Sequence, residues 1–185
     1  PLPPYGRAGT RRWMREIARA LSPQHGDAAE TEIDRVTRED FLRINECKSL
    51  WGELRYETAL IRAPHSAAWG LAQALRTEWA DVCHLAVAAE HIEAGAEEIA
   101  DEVLGETDAL RIQELLAGMD GGLLLGSSNE SAHIDPRTAE YFPVAYPVQD
   151  FLQLTDNPFM GLRGARHIEE RLWNGNVLRR KIILS

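Results

Sequence analysis

The stretch Thr37–Ala63 constrains the fold more than any other. Ile44, Cys47, Leu50, Trp51, Leu54, Thr58 and Ile61 recur in it at spacings of three and four. That spacing makes one apolar stripe on a helix, with Glu46, Lys48, Glu53, Arg55, Glu57 and Arg62 on the opposite face. Thr37 followed by Asp40 reads as a capping-box-like start, and Pro64 supplies the stop. A helix of roughly 25 residues spans about 40 Å at 1.5 Å per residue. Such a helix must be covered by others, and the rest of the chain reads as able to supply them.

Ser66 can cap a second long helical region, whose stripe is Trp69, Ala72, Leu75, Trp79, Val82, Cys83, Ala86, Ala89 and Ile92. Ahead of both, Thr10 can cap a first helix, with Trp13, Met14, Ile17, Ala18 and Leu21 facing inward and Arg11, Arg12, Arg15 and Arg19 on a basic face. Residues 1–9 carry three prolines and read as an arm. After Gly121-Gly122 the helical period fades. Residues 126–146 read as an extended wrapping segment, with Tyr141-Phe-Pro-Val-Ala-Tyr-Pro147 suited to packing in a groove. Residues 177–184 read as a terminal strand, or as the second half of a hairpin around Asn174-Gly175. The expected fold is a single, mostly α domain over residues 1–185, with long central helices, an extended Pro-rich segment and a short C-terminal strand or hairpin.

The chain has 185 residues and a net charge of −9. That balance argues against a general nucleic-acid binder and against docking on anionic lipid. No apolar run approaches the roughly 18 residues of a membrane span, and no signal peptide is visible, so the expected location is the cytoplasm. Cys47 and Cys83 sit in helix-like patterns and read as reduced core thiols.

Residue chemistry offers little for catalysis. The single Glu-x-x-His, Glu130-Ser-Ala-His133, has no second copy, so a di-iron bundle site is not expected. His84 and His91 read as helix-surface residues. Gly118, Gly121, Gly122 and Gly126 lack the P-loop Lys-Ser/Thr and the dinucleotide fingerprint, and read as breakers. Trp13, Trp51, Trp69 and Trp79 serve either core packing or interface anchoring.

Three stretches carry a resemblance: Thr10-Arg-Arg-Trp-Met-Arg-Glu-Ile-Ala18, Leu50–Ile61 and Pro143–Leu152. Together they resemble the gamma subunit of the hydroxylase component of soluble methane monooxygenase and related di-iron hydrocarbon monooxygenases. The resemblance implies a non-catalytic helical subunit with no cofactor of its own. It would sit in an (αβγ)₂ assembly with larger alpha and beta subunits, the di-iron centre being in alpha, and would support hydroxylation or epoxidation of small hydrocarbons. Contact residues would be Trp13, Trp51, Tyr56, Tyr141, Phe142, Pro143, Tyr146, Pro147, Phe151, Val177 and Ile182. Two rival expectations are a structural protein of another assembly, such as a viral particle, and a small enzyme whose site gathers Cys83 with His84, His91 or His133.

Overall fold

The computed structural model describes residues 3–21, 26–92, 95–105, 107–150, 152 and 157–183. In chain order the elements are α1 (Gly6–Leu21), α2 (Gly26–Trp51), β1 (Arg55–Arg62), α3 (His65–Ala74) running into a π-helical turn (Leu75–Trp79), and β2 (Asp81–Ala88). A 3₁₀ turn (Ala96–Glu98), β3 (Glu102–Leu104), α4 (Ala109–Ala117), β4 (Leu123–Gly126), α5 (Ser128–Ser131), β5 (Glu140–Pro143) and α6 (Gly161–Ile183) follow. The strands form one parallel sheet in the order β3-β2-β1-β4-β5. The fold is therefore α/β, which corrects the mostly α expectation.

The correction has a physical cause. A parallel strand covered on both faces is apolar almost throughout, so it lacks the alternation that marks a half-exposed strand. Tyr56, Ala59, Leu60 and Ile61 on β1 are all fully buried. Their side chains divide between two cores: Tyr56, Ala59 and Ile61 join one, Leu60 the other. The same holds on β2, where Leu85 and Val87 oppose Ala86 and Ala88, and on β4, where Leu123 and Leu125 oppose Leu124. Trp69, Leu75 and Trp79 cover the first face; Ile112, Leu115, Leu116 and Met119 cover the second. In the register Ala59 faces Leu85 on one side and Leu123 on the other.

The long helix exists, but it occupies Gly26–Trp51 rather than Thr37–Ala63, and the second half of the expected helix is the strand β1, Arg55–Arg62. The stop is Gly52. Its φ of +82° puts it in the left-handed region, and its N–H donates to the Lys48 carbonyl at 2.9 Å, closing the helix end. The second long helix is likewise split, with β2 following the turn that ends at Trp79.

Residues 126–146 do not wrap a surface; they hold α5 and the edge strand β5. The expected terminal strand or hairpin is replaced by helix: α6 continues to Ile183, with Asn174-Gly175 inside it. Much of the expected arm is helix from Gly6 onward, and the Pro4 carbonyl accepts from the Gly161 N–H at 2.9 Å, so the arm lies on its own chain. Cys47 and Cys83 are exposed thiols on α2 and β2, not core residues. His84 is on β2 rather than a helix, with Nε2 3.0 Å from Glu102.

Candidate functional site

After β1 the chain winds outward through β2 and β3, then crosses back to place β4 and β5 on the other side of β1. The connections that leave the carboxyl ends of β1 and β4 therefore diverge. In sheets of this kind, that switch point opens a crevice where ligands bind. A crevice of about 300 Å³ lies there. Arg62 ends β1, Ala88 ends β2, and Ser127, Asn129 and Glu130 follow β4; all line it.

Its polar wall is built by a capping box. Ser127 is the N-cap of α5: its hydroxyl accepts from the Asn129 N–H, while the Glu130 carboxylate accepts from the Ser127 N–H at 2.8 Å and from the Ser127 hydroxyl at 2.5 Å. The other Glu130 oxygen accepts from Arg62 Nη1 at 2.9 Å. Glu130 is 5% exposed, whereas 46% of the Arg62 side chain is open. The carboxylate is thus consumed in holding the wall, and the guanidinium is the part that meets the crevice. Gly126 packs closely here: a Cβ there would stand 3.2 Å from Leu124 Cδ1 and 3.3 Å from Glu130 Oε2, so these side chains would have to give by a few tenths of an ångström. The opposite wall is small, with Ala63, Ala88, Ala89 and Ala145.

A strap closes one side. The Ser128 N–H donates to the Pro147 carbonyl at 2.8 Å, and the Ser128 and Ser131 hydroxyls donate to Asp150 at 2.6 and 2.5 Å. These two hydroxyls hold the Asp150 carboxyl below its usual range. The strap carries Tyr146, which is 92% exposed at the crevice mouth. With Arg62 paired to Glu130, and with Glu90 also lining the crevice, the arrangement suits binding of a hydrogen-bonding group. Ser127 has no base to activate it, since its hydroxyl already donates to a carboxylate that Arg62 neutralises.

A second buried polar cluster lies at the opposite, amino edge. Glu140 at the start of β5 accepts from the Tyr56 hydroxyl and from Arg179 of α6, both at 2.9 Å. Burial lifts its carboxyl to about 7, against the pull of Arg179, Tyr56 and Arg171.

Among the contact residues chosen from the sequence, Tyr146 and Pro147 lie on the strap, and Tyr146 lines the crevice. Trp13 on α1 and Trp51 at the end of α2 are 42% and 57% exposed. Tyr56, Phe142 and Pro143 are buried in the sheet, and Tyr141 is half-buried beside them. Val177 is half-buried on α6; of Ile182 only the helical backbone is described, and Phe151 lies outside the described residues. Cys83, His84, His91 and His133 line no common pocket among the described residues. Sequence reasoning missed Arg62, Ser127 and Glu130. The signal was present in Leu123-Leu-Leu-Gly-Ser-Ser-Asn-Glu130, an apolar run, a glycine and a Ser-x-x-Glu box in direct succession.

No three His, Cys, Asp or Glu side chains among the described residues are grouped so as to hold a metal ion. An iron–sulfur cluster calls for several thiolates, and the two cysteines stand separately on α2 and β2. The described residues do not fit such a cluster.

A family model described as nitrogenase component 1 type oxidoreductase matches residues 2–175. A solved structure described as nitrogenase Cp1 at pH 6.5 superposes with a TM-score of 0.70 at 16% identity, covering 95% of this chain. This chain spans only 39% of that one, and the likeness speaks for the fold. No curated protein matches significantly.

Proposed function

The chain belongs to the family of nitrogenase component 1 type oxidoreductases, and from that premise we propose that it forms one α/β domain of a multi-polypeptide redox protein, whose carboxyl-edge crevice is part of the wall of the redox site. The family match over residues 2–175 carries this reading. It also overturns the resemblance to a di-iron hydroxylase gamma subunit, and with it the monooxygenase activity and the (αβγ)₂ partners; a viral particle protein has no support either. The expectation of a chain without cofactor business beside a di-iron alpha subunit goes the same way, because the family works with metal clusters. What stands is oxidoreductase.

In this reading the partners are further polypeptides of the same type of oxidoreductase, and any metal cluster of the assembly would be held by residues other than the described ones. The chain's own part is local. Arg62 presents a cation at the switch point, the Ser127–Glu130 box fixes it there, and the strap bounds one side. Trp13, Trp51 and Tyr146 are the proposed contact residues still open to a partner. No described helix is long and apolar enough to cross a membrane. We place the protein in the cytoplasm, where its two free, exposed thiols would stay reduced.

The test is anaerobic purification from the source cells, followed by iron analysis and electron paramagnetic resonance before and after reduction. The expected result is an assembly with iron and a reducible signal. Arg62→Ala should lower its turnover about tenfold, the loss of roughly one charge-assisted hydrogen bond, with iron content unchanged. An iron-free assembly, or full turnover in that variant, would sink the reading.

A further inference from the structure

A second groove, of about 590 Å³, lies between α1, α2 and the π-helical turn. Its acids are already committed. Glu78 accepts the backbone N–H groups of Arg7 and Ala8, both at 2.7 Å, and so caps α1. Glu169, 2% exposed, is bonded to Arg7. Asp34 accepts from Arg11 at 2.7 Å and Arg15 at 2.9 Å.

The cations are less occupied. Arg38 is exposed and has no ion pair or hydrogen bond among the described residues. Lys48 Nζ has a backbone carbonyl, that of Glu78, at 3.4 Å. Arg7 also lines the groove, but it is 8% exposed and committed to Glu169, with Asp40 and Glu78 beside it, so the open cations are Arg38 and Lys48. The accessible, uncommitted charge of this groove is therefore positive, on a chain whose net charge is −9. Arg38 and Lys48 stand ten residues apart on α2, about 15 Å at 1.5 Å per residue. Phe41, 58% exposed, and Ile44 lie between them.

We infer that this groove docks an acidic segment of a partner polypeptide, with two carboxylates reaching Arg38 and Lys48 and an apolar side chain between them on Phe41 and Ile44. A phosphate would want its cations converging on one point, and these two diverge along a helix. An acidic partner is repelled by the remainder of an acidic chain, so the groove would also orient its approach.

Lys48 makes the test direct, because the chain has one other lysine, Lys181. Zero-length carbodiimide coupling of the complex purified from its source cells joins an amine only to a carboxylate in contact with it. Mass spectrometry should find Lys48 bonded to an Asp or Glu of another polypeptide, in a segment with an apolar residue and a second acid nearby. Arg38→Glu should weaken the association about tenfold and flatten its salt dependence. Arg137→Glu should not, since Arg137 pairs with Asp135 elsewhere. An intact complex in which Lys48 is unmodified, or bonded only to carboxylates of its own chain, overturns the inference. So does protection of Lys48 by millimolar ATP without a partner bridge, which would mark a nucleotide site. The inference stands apart from the redox reading: a Lys48 bridge in a complex without reducible iron would keep the one and sink the other.

Discussion

Glu140 is the residue whose chemistry reaches furthest beyond its own position. Burial lifts its carboxyl to about 7, and the Arg179 guanidinium and Tyr56 hydroxyl only partly offset that. A folded-state value above the ordinary carboxylate value means that the folded protein binds the proton more tightly than the unfolded chain does. Its stabilising contribution is therefore full below about pH 4.5 and is lost as pH rises through about 7. Over that window the loss is up to about 3 kcal/mol. Denaturant midpoints measured from pH 5 to 8 should fall in the native protein and stay flatter in Glu140→Gln; parallel profiles would show that another group sets the slope. Gly52 makes a smaller, purely conformational contribution. Nothing lies within 4 Å of the Cβ that Gly52→Ala would add, but the backbone sits at φ +82°. The variant should lose about 1 kcal/mol, read as a lower thermal midpoint without loss of helix by circular dichroism.

At the scale of elements, α1 buries less of its apolar stripe than its spacing implies and more of its charge. Trp13, Met14 and Leu21, the inward face by spacing, are 42%, 36% and 80% exposed, while Arg7 and Thr10 are buried. The start of the helix is held by charge, while Trp13, Met14, Ile17 and Ala18 of its stripe share a shallow apolar groove with Ile33 and Val36 of α2. Arg7 bonds Glu169 of α6 and stands 3.7 Å from Asp40 of α2, and Asp40 is bonded in turn by Arg166 of α6. Three helices thus meet on three buried charges, Arg7, Glu169 and Asp40, with the exposed Arg166 closing the set. Such networks cost more to break than they contribute when whole, because a removed partner strands the other charge. Arg7→Met leaves Glu169 unpaired at 2% exposure and should cost about 3–5 kcal/mol. Adding Glu169→Leu should recover most of it. Urea unfolding of the two variants measures this, and equal losses in both would place the stability of α1 elsewhere.

On the scale of the whole molecule, the sequence is legible where one face decides. The spacing from Thr37 to Trp51 does mark a helix but not its bounds: α2 runs from Gly26 to Trp51, and Leu50 and Trp51 of the expected inward stripe are exposed. Helical spacing does not mark the sheet. Its strands are buried on both sides, and Leu54, Thr58 and Ile61 match a helical stripe as readily as they match β1. Gly52 is the signal against that stripe. The crevice is hidden along with the sheet, because Arg62, Ser127 and Glu130 come together only through the parallel pairing of β1 with β4. Trp13 and Trp51 are 42% and 57% exposed, on a fold other than the one expected. Their exposure leads to a prediction about the assembled state. The second half of α2 shows Phe41, Leu42, Leu50 and Trp51 to solvent at 54–79%, more large apolar surface than a helix in a finished assembly commonly leaves bare. If further polypeptide of the redox protein covers it, amide exchange across residues 41–51 should be fast in the isolated chain, where the helix rests on few buried contacts, and slower by at least about tenfold in the purified assembly. The sheet strands, already enclosed within the chain, should exchange alike in both. Equal protection of α2 in the two states would mean that this helix faces water in the working protein, and the search for the partner surface would then turn to the strap and its exposed Tyr146.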